Sequence, residues 1–221
     1  HAVLGGGDPV GVDRLDVGMR EDAAKGLVPF CVVGHGGTTN TGAVDDLVAL
    51  ADLAARHRAW LHVDAAYGGF FAMTERGRAA LLGIERADSV TLDPHKSLFL
   101  PYGTGALVVK DRAALRRAHA MHASYMPPMQ DEDDLVDFCD LGPELSREAR
   151  GLRVWLPLKM HGARVFRAAL DEKIDLARMA ADGLREVADV EIVAEPELSL
   201  LAFRLRPAGM SEGPELDALN R

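Results

Sequence analysis

Lysine is scarce in this 221-residue chain, with only five, at positions 25, 96, 110, 159 and 173. Basic charge as a whole is short: Lys+Arg 25 against Asp+Glu 34 leaves a formal net charge of −9. A nucleic-acid binder needs a basic face against phosphates, so that class is excluded. No apolar run approaches the ~18 residues of a membrane-spanning helix. Cysteine is limited to Cys31 and Cys139. That is too few for a disulfide framework and leads to an expected reducing, cytoplasmic setting. Repeats, low-complexity tracts and a signal-peptide pattern are absent as well. The opening at His1 without Met suggests a piece of a longer protein. What is present is core material, because 48% of residues are hydrophobic and mean hydropathy is −0.01.

The apolar pattern alternates between strands and helices. Residues 28–33 (VPFCVV), 60–63, 89–92 and 105–109 read as short buried strands, and 45–58 carries a broad apolar helical stripe. Asp111 is placed to cap the helix after the fourth strand. This order predicts an α/β domain with a largely parallel sheet, whose sites gather beyond the carboxyl ends of the strands. Thr38 and Thr39, Asp64, and Asp93 to Lys96 all fall at such ends. An acidic stretch over 129–140 reads as an exposed loop. From 143 to about 187 the pattern is helical, interrupted at Pro157 and Gly162, with a kink or division expected at Pro157. Strands are expected at 191–194 and 198–206.

Lys96 alone among the lysines lies in a mostly apolar neighbourhood without an adjacent acidic residue, within DPHKSLFLPYGTG (93–105). Burial favours the neutral amine that Schiff-base chemistry requires. A lone lysine at a strand end is more ordinarily a snorkelling one, its stem packed and its head wet. Asp64 alone is equally ordinary as a turn residue. Together they suit a pyridine cofactor, which is an electron sink only while its nitrogen is protonated, a proton that a buried carboxylate holds in place. His62 and Asp64 share a strand face, but no third ligand stands at a suitable spacing, so no metal is expected.

With these residues in view, the chain resembles the group II pyridoxal-phosphate-dependent amino-acid decarboxylases, which include the aromatic-L-amino-acid and glutamate enzymes. The motifs that carry the likeness are GGTTNTGAVD (36–45), WLHVDAAYGG (60–69), ADSVTLDPHKSLFLPYGTG (87–105) and SREARGLRVWLPLKMHG (146–162). The resemblance implies a fold-type-I large domain in 1–142, a helical connection in 143–187 and the start of a small α/β domain in 188–221. It implies pyridoxal 5'-phosphate joined to Lys96, with Asp64 on the ring nitrogen and the small Ala66 leaving room for the ring. Thr39, with Thr38 beside it, matches a cofactor-contacting threonine. Asp93 stands near the phosphate, where an ionised side chain cannot donate and contact would have to come from the backbone. His95 shapes the site.

Tyr125 matches a loop tyrosine that returns a proton to the substrate carbon after CO₂ leaves, although an exposed aromatic is the plainer account of it in isolation. Arg147 and Arg150, expected on a helix, match arginines that suit a carboxylate or phosphate, or else carry surface charge. The family pattern also implies a homodimer with the active site at the subunit interface and an amino-acid substrate, aromatic by preference. Three readings compete with decarboxylation: transamination or desulfuration on the same scaffold, a non-catalytic fragment, and a generic metal-binding domain.

Overall fold

Val32, Leu61 and Val63 alternate with outward-facing neighbours along two adjacent strands, and their inward side chains are almost completely buried. They face Leu47, Leu50, Ala51, Leu53 and Ala54 of one helix, with Met19 of another closing the layer. The computed structural model describes residues 11–119 and 138–221. Helix α1 spans Val12–Ala24, followed by β1 (Cys31–His35), α2 (Leu47–His57) and β2 (Trp60–Asp64). Then come α3 (Glu75–Ala80), β3 (Ser89–Leu92), β4 (Ala106–Val109) and α4 (Arg112–His119). The C-terminal part comprises α5 (Leu152–His161), α6 (Ala163–Arg185), β5 (Val190–Ala194), β6 (Ala202–Leu205) and α7 (Pro214–Leu219).

The larger sheet has the order β1-β2-β3-β4. Its first three strands run parallel, while β4 returns antiparallel to β3 at the edge. Helix α2 is delimited by local chemistry. The Asp46 carboxylate accepts from Ala49 N–H at its start, and Arg58 adopts the left-handed conformation at its end. Asp111 accepts from Ala113 N–H (2.8 Å) at the head of α4, as expected.

Several elements differ from the sequence expectations. The first strand lies at Cys31–His35 rather than 28–33, and Val28 and Phe30 are more than three-quarters exposed. Pro29 has no N–H for a ladder, and pairing continues past Val33 because β2 extends opposite it to Asp64. Helix α5 begins only at Leu152 and runs through Pro157, so of the two expected interruptions only Gly162, at φ 78°, ends a helix. The last strand is shorter than 198–206. Leu198 lies in the loop before it and is fully buried among Phe71, Leu81, Leu170 and Ile174. Helix α6 therefore shares one core with the turns that follow β2. Arg76 at α3 reinforces that contact, binding the Asp171 carboxylate (3.1 Å), the Asp171 carbonyl (2.7 Å) and Asp175.

Candidate active site

Parallel strands bring their carboxyl ends to one edge, where polar side chains converge without competing for ladder hydrogen bonds. His35 ends β1 opposite Asp64, and Asp64 is in turn opposite Thr91 of β3. The departing turns are joined through their backbones. Gly36 N–H donates to Asp64 O (2.9 Å), Ala65 N–H to Thr91 O (3.2 Å), and Asp93 N–H to Ala66 O (3.0 Å). The motifs at 36–45, 60–69 and 93–96 therefore meet at one place.

Lys96 occupies a tight turn in which its own N–H returns to Asp93 O (3.0 Å). Its Nζ lies 2.9 Å from Asp93 Oδ2, with the lysine side chain 44% exposed and the aspartate 18%. The apolar, acid-free surroundings expected for Lys96 are therefore corrected. The turn folds the carboxylate three residues back onto the amine, and the apolar residues Leu98 and Leu100 point away into a cluster with Phe166. Between those two anchors Phe99 is held at φ 61°, a left-handed conformation costly for a bulky residue. The Asp93 N–H, the backbone donor expected near the phosphate, bonds Ala66 O here.

His95 donates from Nδ1 to Thr104 O (2.9 Å), which fixes its tautomer, and its ring stacks on Tyr102 with centroids 4.8 Å apart. Its Nε2 is 3.9 Å from Asp93 Oδ2, so His95, Asp93 and Lys96 form one cluster. The burial expected of the Asp64 carboxylate is corrected: it is exposed at the edge, because it ends β2 where the strand leaves the sheet, with Oδ1 accepting from Ala66 N–H (3.1 Å). Ala66 thus links both carboxylate-bearing turns. Thr38 closes the glycine-rich turn: its N–H donates to Ala43 O (2.9 Å), its carbonyl accepts from Gly42 N–H (2.9 Å), and its hydroxyl pairs with Thr41 (2.8 Å). Thr39, next in line, is exposed.

Other candidates lie elsewhere. Arg147 donates to Glu144 O (2.7 Å) and Arg150 lies 3.6 Å from the Glu144 carboxylate. Both precede α5 in irregular chain rather than on a helix, because α5 starts only at Leu152. Tyr125 falls outside the described residues. His62 places Nδ1 2.8 Å from Ser89 Oγ and Nε2 3.2 Å from Thr91 Oγ1, so both ring nitrogens are engaged by β3 hydroxyls.

Sequence reasoning missed a second tier. His35 is held by Asp45 through its backbone N–H (2.8 Å) and its ring (3.1 Å). Tyr67 O–H pairs with Ser199 Oγ (2.8 Å) and accepts from Ser199 N–H (2.9 Å). Burial pushes the Tyr67 phenol above its ordinary pKa, an effect the Ser199 hydrogen bonds oppose. Asp45 and Tyr67 both lie inside the quoted motifs, and nothing in the sequence pointed to Ser199.

The residues present fit pyridoxal phosphate. A primary amine, a solvent-facing carboxylate and an exposed threonine hydroxyl share the edge with a turn whose Gly36 and Gly37 have no side chains to obstruct it. A Cβ on Gly36 would lie 2.8 Å from Ala65 Cβ, and one on Gly37 2.7 Å from the Tyr67 ring, so these glycines are needed for the turn to pack so closely. Among the described residues, Ser97 Oγ and Thr104 Oγ1 are buried without hydrogen-bond partners, leaving donor capacity beside the lysine turn.

Comparison with known proteins shows the family. Residues 10–206 match the pyridoxal-dependent decarboxylase conserved domain. An aromatic-L-amino-acid decarboxylase of Bacillus atrophaeus is 38% identical over 213 residues, covering 96% of this chain and 44% of that protein. A human cysteine sulfinic acid decarboxylase is 38% identical over 205 residues, covering 90% of this chain and 41% of that protein. The crystal structure of Oryza sativa TDC with PLP and tryptamine superposes with a TM-score of 0.87 at 31% identity, covering 96% of this chain and 44% of that one. The α/β architecture is thus the fold-type-I one expected, and the chain spans less than half the length of these relatives.

Proposed function

Because the chain belongs to the pyridoxal-dependent decarboxylase family, we propose that it carries the lysine-bearing half of an active site that converts an L-amino acid to its amine and CO₂. The carrying observation is the meeting of Lys96, Asp93 and Asp64 on one sheet edge, joined by the Asp93 N–H to Ala66 O bond (3.0 Å). When bound, pyridoxal phosphate supplies a protonated ring that accepts the electron pair left as CO₂ departs. Lys96 would hold the cofactor through its side-chain amine. Asp64 holds the proton on the ring nitrogen, since an adjacent carboxylate favours the cationic form. Ala66 keeps the approach to the ring open, and Thr39 offers its hydroxyl from the tip of the glycine-rich turn. Until the cofactor binds, Asp93 is the counter-ion of Lys96, and His95 braces that pair from its bond to Thr104 O. Tyr125 returns the proton to the substrate carbon.

An aromatic substrate is the preference we assign, supported by the Bacillus atrophaeus relative and the tryptamine-bound structure. We also assign a homodimeric state. It is supported by α5, whose Leu152, Trp155, Leu156 and Met160 are about half exposed or more at helical spacing and form an apolar stripe with much left to bury. The test uses the complete protein. Wild type should bind pyridoxal phosphate with a visible absorbance and release CO₂ and amine from aromatic amino acids, and Lys96→Ala should do neither. Turnover surviving in Lys96→Ala, or keto acid appearing in place of CO₂, refutes the assignment.

A further inference from the structure

Among the described residues, those that shape the candidate site lie before position 105, yet the turn presenting Thr39 is gripped by a loop at residues 197–200. Residues 197–200 touch that turn at Val44 and Gly42, and the turn after β2 at Tyr67 and Gly68. The Glu197 carboxylate accepts from Val44 N–H (3.1 Å). Leu198 is completely buried, with Cδ1 only 2.7 Å from where a Gly68 Cβ would lie. Ser199 accounts for the Tyr67 hydroxyl, both as its side-chain partner (2.8 Å) and through its backbone N–H (2.9 Å). Leu200 Cβ lies 2.9 Å from the position a Gly42 Cβ would take.

Tyr67 is the hub of these contacts. Its ring covers Gly37, leaving no space there for a side chain, and meets Phe71 at 5.8 Å between centroids. On one side it bears on the turn whose tip is Thr39. On the other it follows Asp64-Ala-Ala directly in the chain. We propose, building on the function above, that Tyr67 is a positioning residue: clasped by Ser199, it sets the register between the Thr39 turn and Asp64 and so the geometry of cofactor binding. A phenol suits the task because its hydroxyl accepts from the Ser199 N–H and still pairs with the Ser199 hydroxyl. Its rigid ring carries the displacement to the Gly37 backbone.

The test compares Tyr67→Phe, Ser199→Ala and Glu197→Ala in the complete protein. Tyr67→Phe keeps the ring and loses both hydrogen bonds. It should weaken pyridoxal phosphate binding by about five- to tenfold, as expected for the net worth of about one hydrogen bond. It should also alter the visible circular dichroism of the bound cofactor and lower kcat with KM unchanged. Ser199→Ala retains the backbone donor and should lose only about twofold. Without cofactor, amide exchange over 36–44 should accelerate in Tyr67→Phe and in Glu197→Ala, whose exposed substitution reports on the clasp should Tyr67→Phe fold poorly. Wild-type cofactor affinity, dichroism and 36–44 exchange in Tyr67→Phe, with only thermal stability reduced, overturns the proposal. A wild-type protein that neither binds the cofactor nor releases CO₂ refutes the function alone, and the exchange experiment then judges the clasp by itself.

Discussion

Gly68 offers the sharpest test of how the site edge is built. Its φ of −85° and ψ of −18° are ordinary for any residue, so substitution by Ala introduces no backbone penalty. The difficulty is space, since the new Cβ would lie 1.9 Å from Gly36 O, 3.0 Å from Gly36 C and 2.7 Å from Leu198 Cδ1. A carbon and a carbonyl oxygen normally approach no closer than about 3.3 Å, so the deficit is roughly 1.4 Å. Leu198 could yield by turning its side-chain torsion, but Gly36 is backbone and cannot.

Gly36 is also held from the far side, where its N–H donates to Asp64 O at 2.9 Å. Retreat by the required distance breaks that bond, costing about 1 kcal/mol. Overpacking adds about 1–3 kcal/mol, for a total of roughly 2–4 kcal/mol. Denaturant unfolding of the complete protein should show this loss, and cofactor affinity should fall with it because the Asp64 and Gly36 turns separate. Gly18→Ala is the control. Inside α1 its Cβ meets nothing within 4 Å, and it should stabilise by about 0.5–1 kcal/mol. A Gly68→Ala protein that unfolds at the wild-type midpoint and binds cofactor normally would show that the two turns are not in rigid contact.

Two further outcomes follow from the packing of the helices. Arg76→Ala removes the link from α3 to Asp171 and Asp175 on α6 and should cost about 1 kcal/mol, because the pair is partly exposed. Arg76→Lys should recover little of that, since one ammonium cannot serve two carboxylates and a carbonyl in fixed directions. Equal stability of all three proteins in urea would discount the link. Asp16 bonds His57 of α2 (2.6 Å) and Arg20 (2.5 Å), and these hold its carboxyl below the ordinary 3.8. A depressed carboxyl stabilises above its unfolded pKa and ceases to as pH falls through the folded one, so α1 amides should exchange faster only below pH 3.8. Asp16→Asn should lack this acid limb, and an unchanged limb in that variant would assign the transition elsewhere.

What could be read from the sequence is what depends on neighbours close along the chain. Alternation in WLHVD located β2, and SVTL matched β3 at both ends, because a buried parallel strand needs little beyond a short apolar run and a turn. The first strand slipped because apolarity at 28–30 was taken for burial, whereas Pro29 and the reach of β2 decide where pairing occurs. Within the site, residue types and their order were visible, but the state of Lys96 was not. Asp93 lies three residues earlier, and whether it meets the amine depends on the tight turn at 93–96, which periodicity does not describe.

The least legible contact was Tyr67 with Ser199, separated by 132 residues. Its sequence trace was misleading, because the alternation beginning at Leu198 suggested a strand, while burial of that leucine in the α6 core instead makes the segment a loop with a plug. A hydrophobic alternation signals that every second side chain is buried, and the partner that buries it need not be a sheet. Here the partner is the same cluster that underlies the Thr39 turn, so the feature that defeated the strand expectation is the one that couples the C-terminal part of the chain to the site.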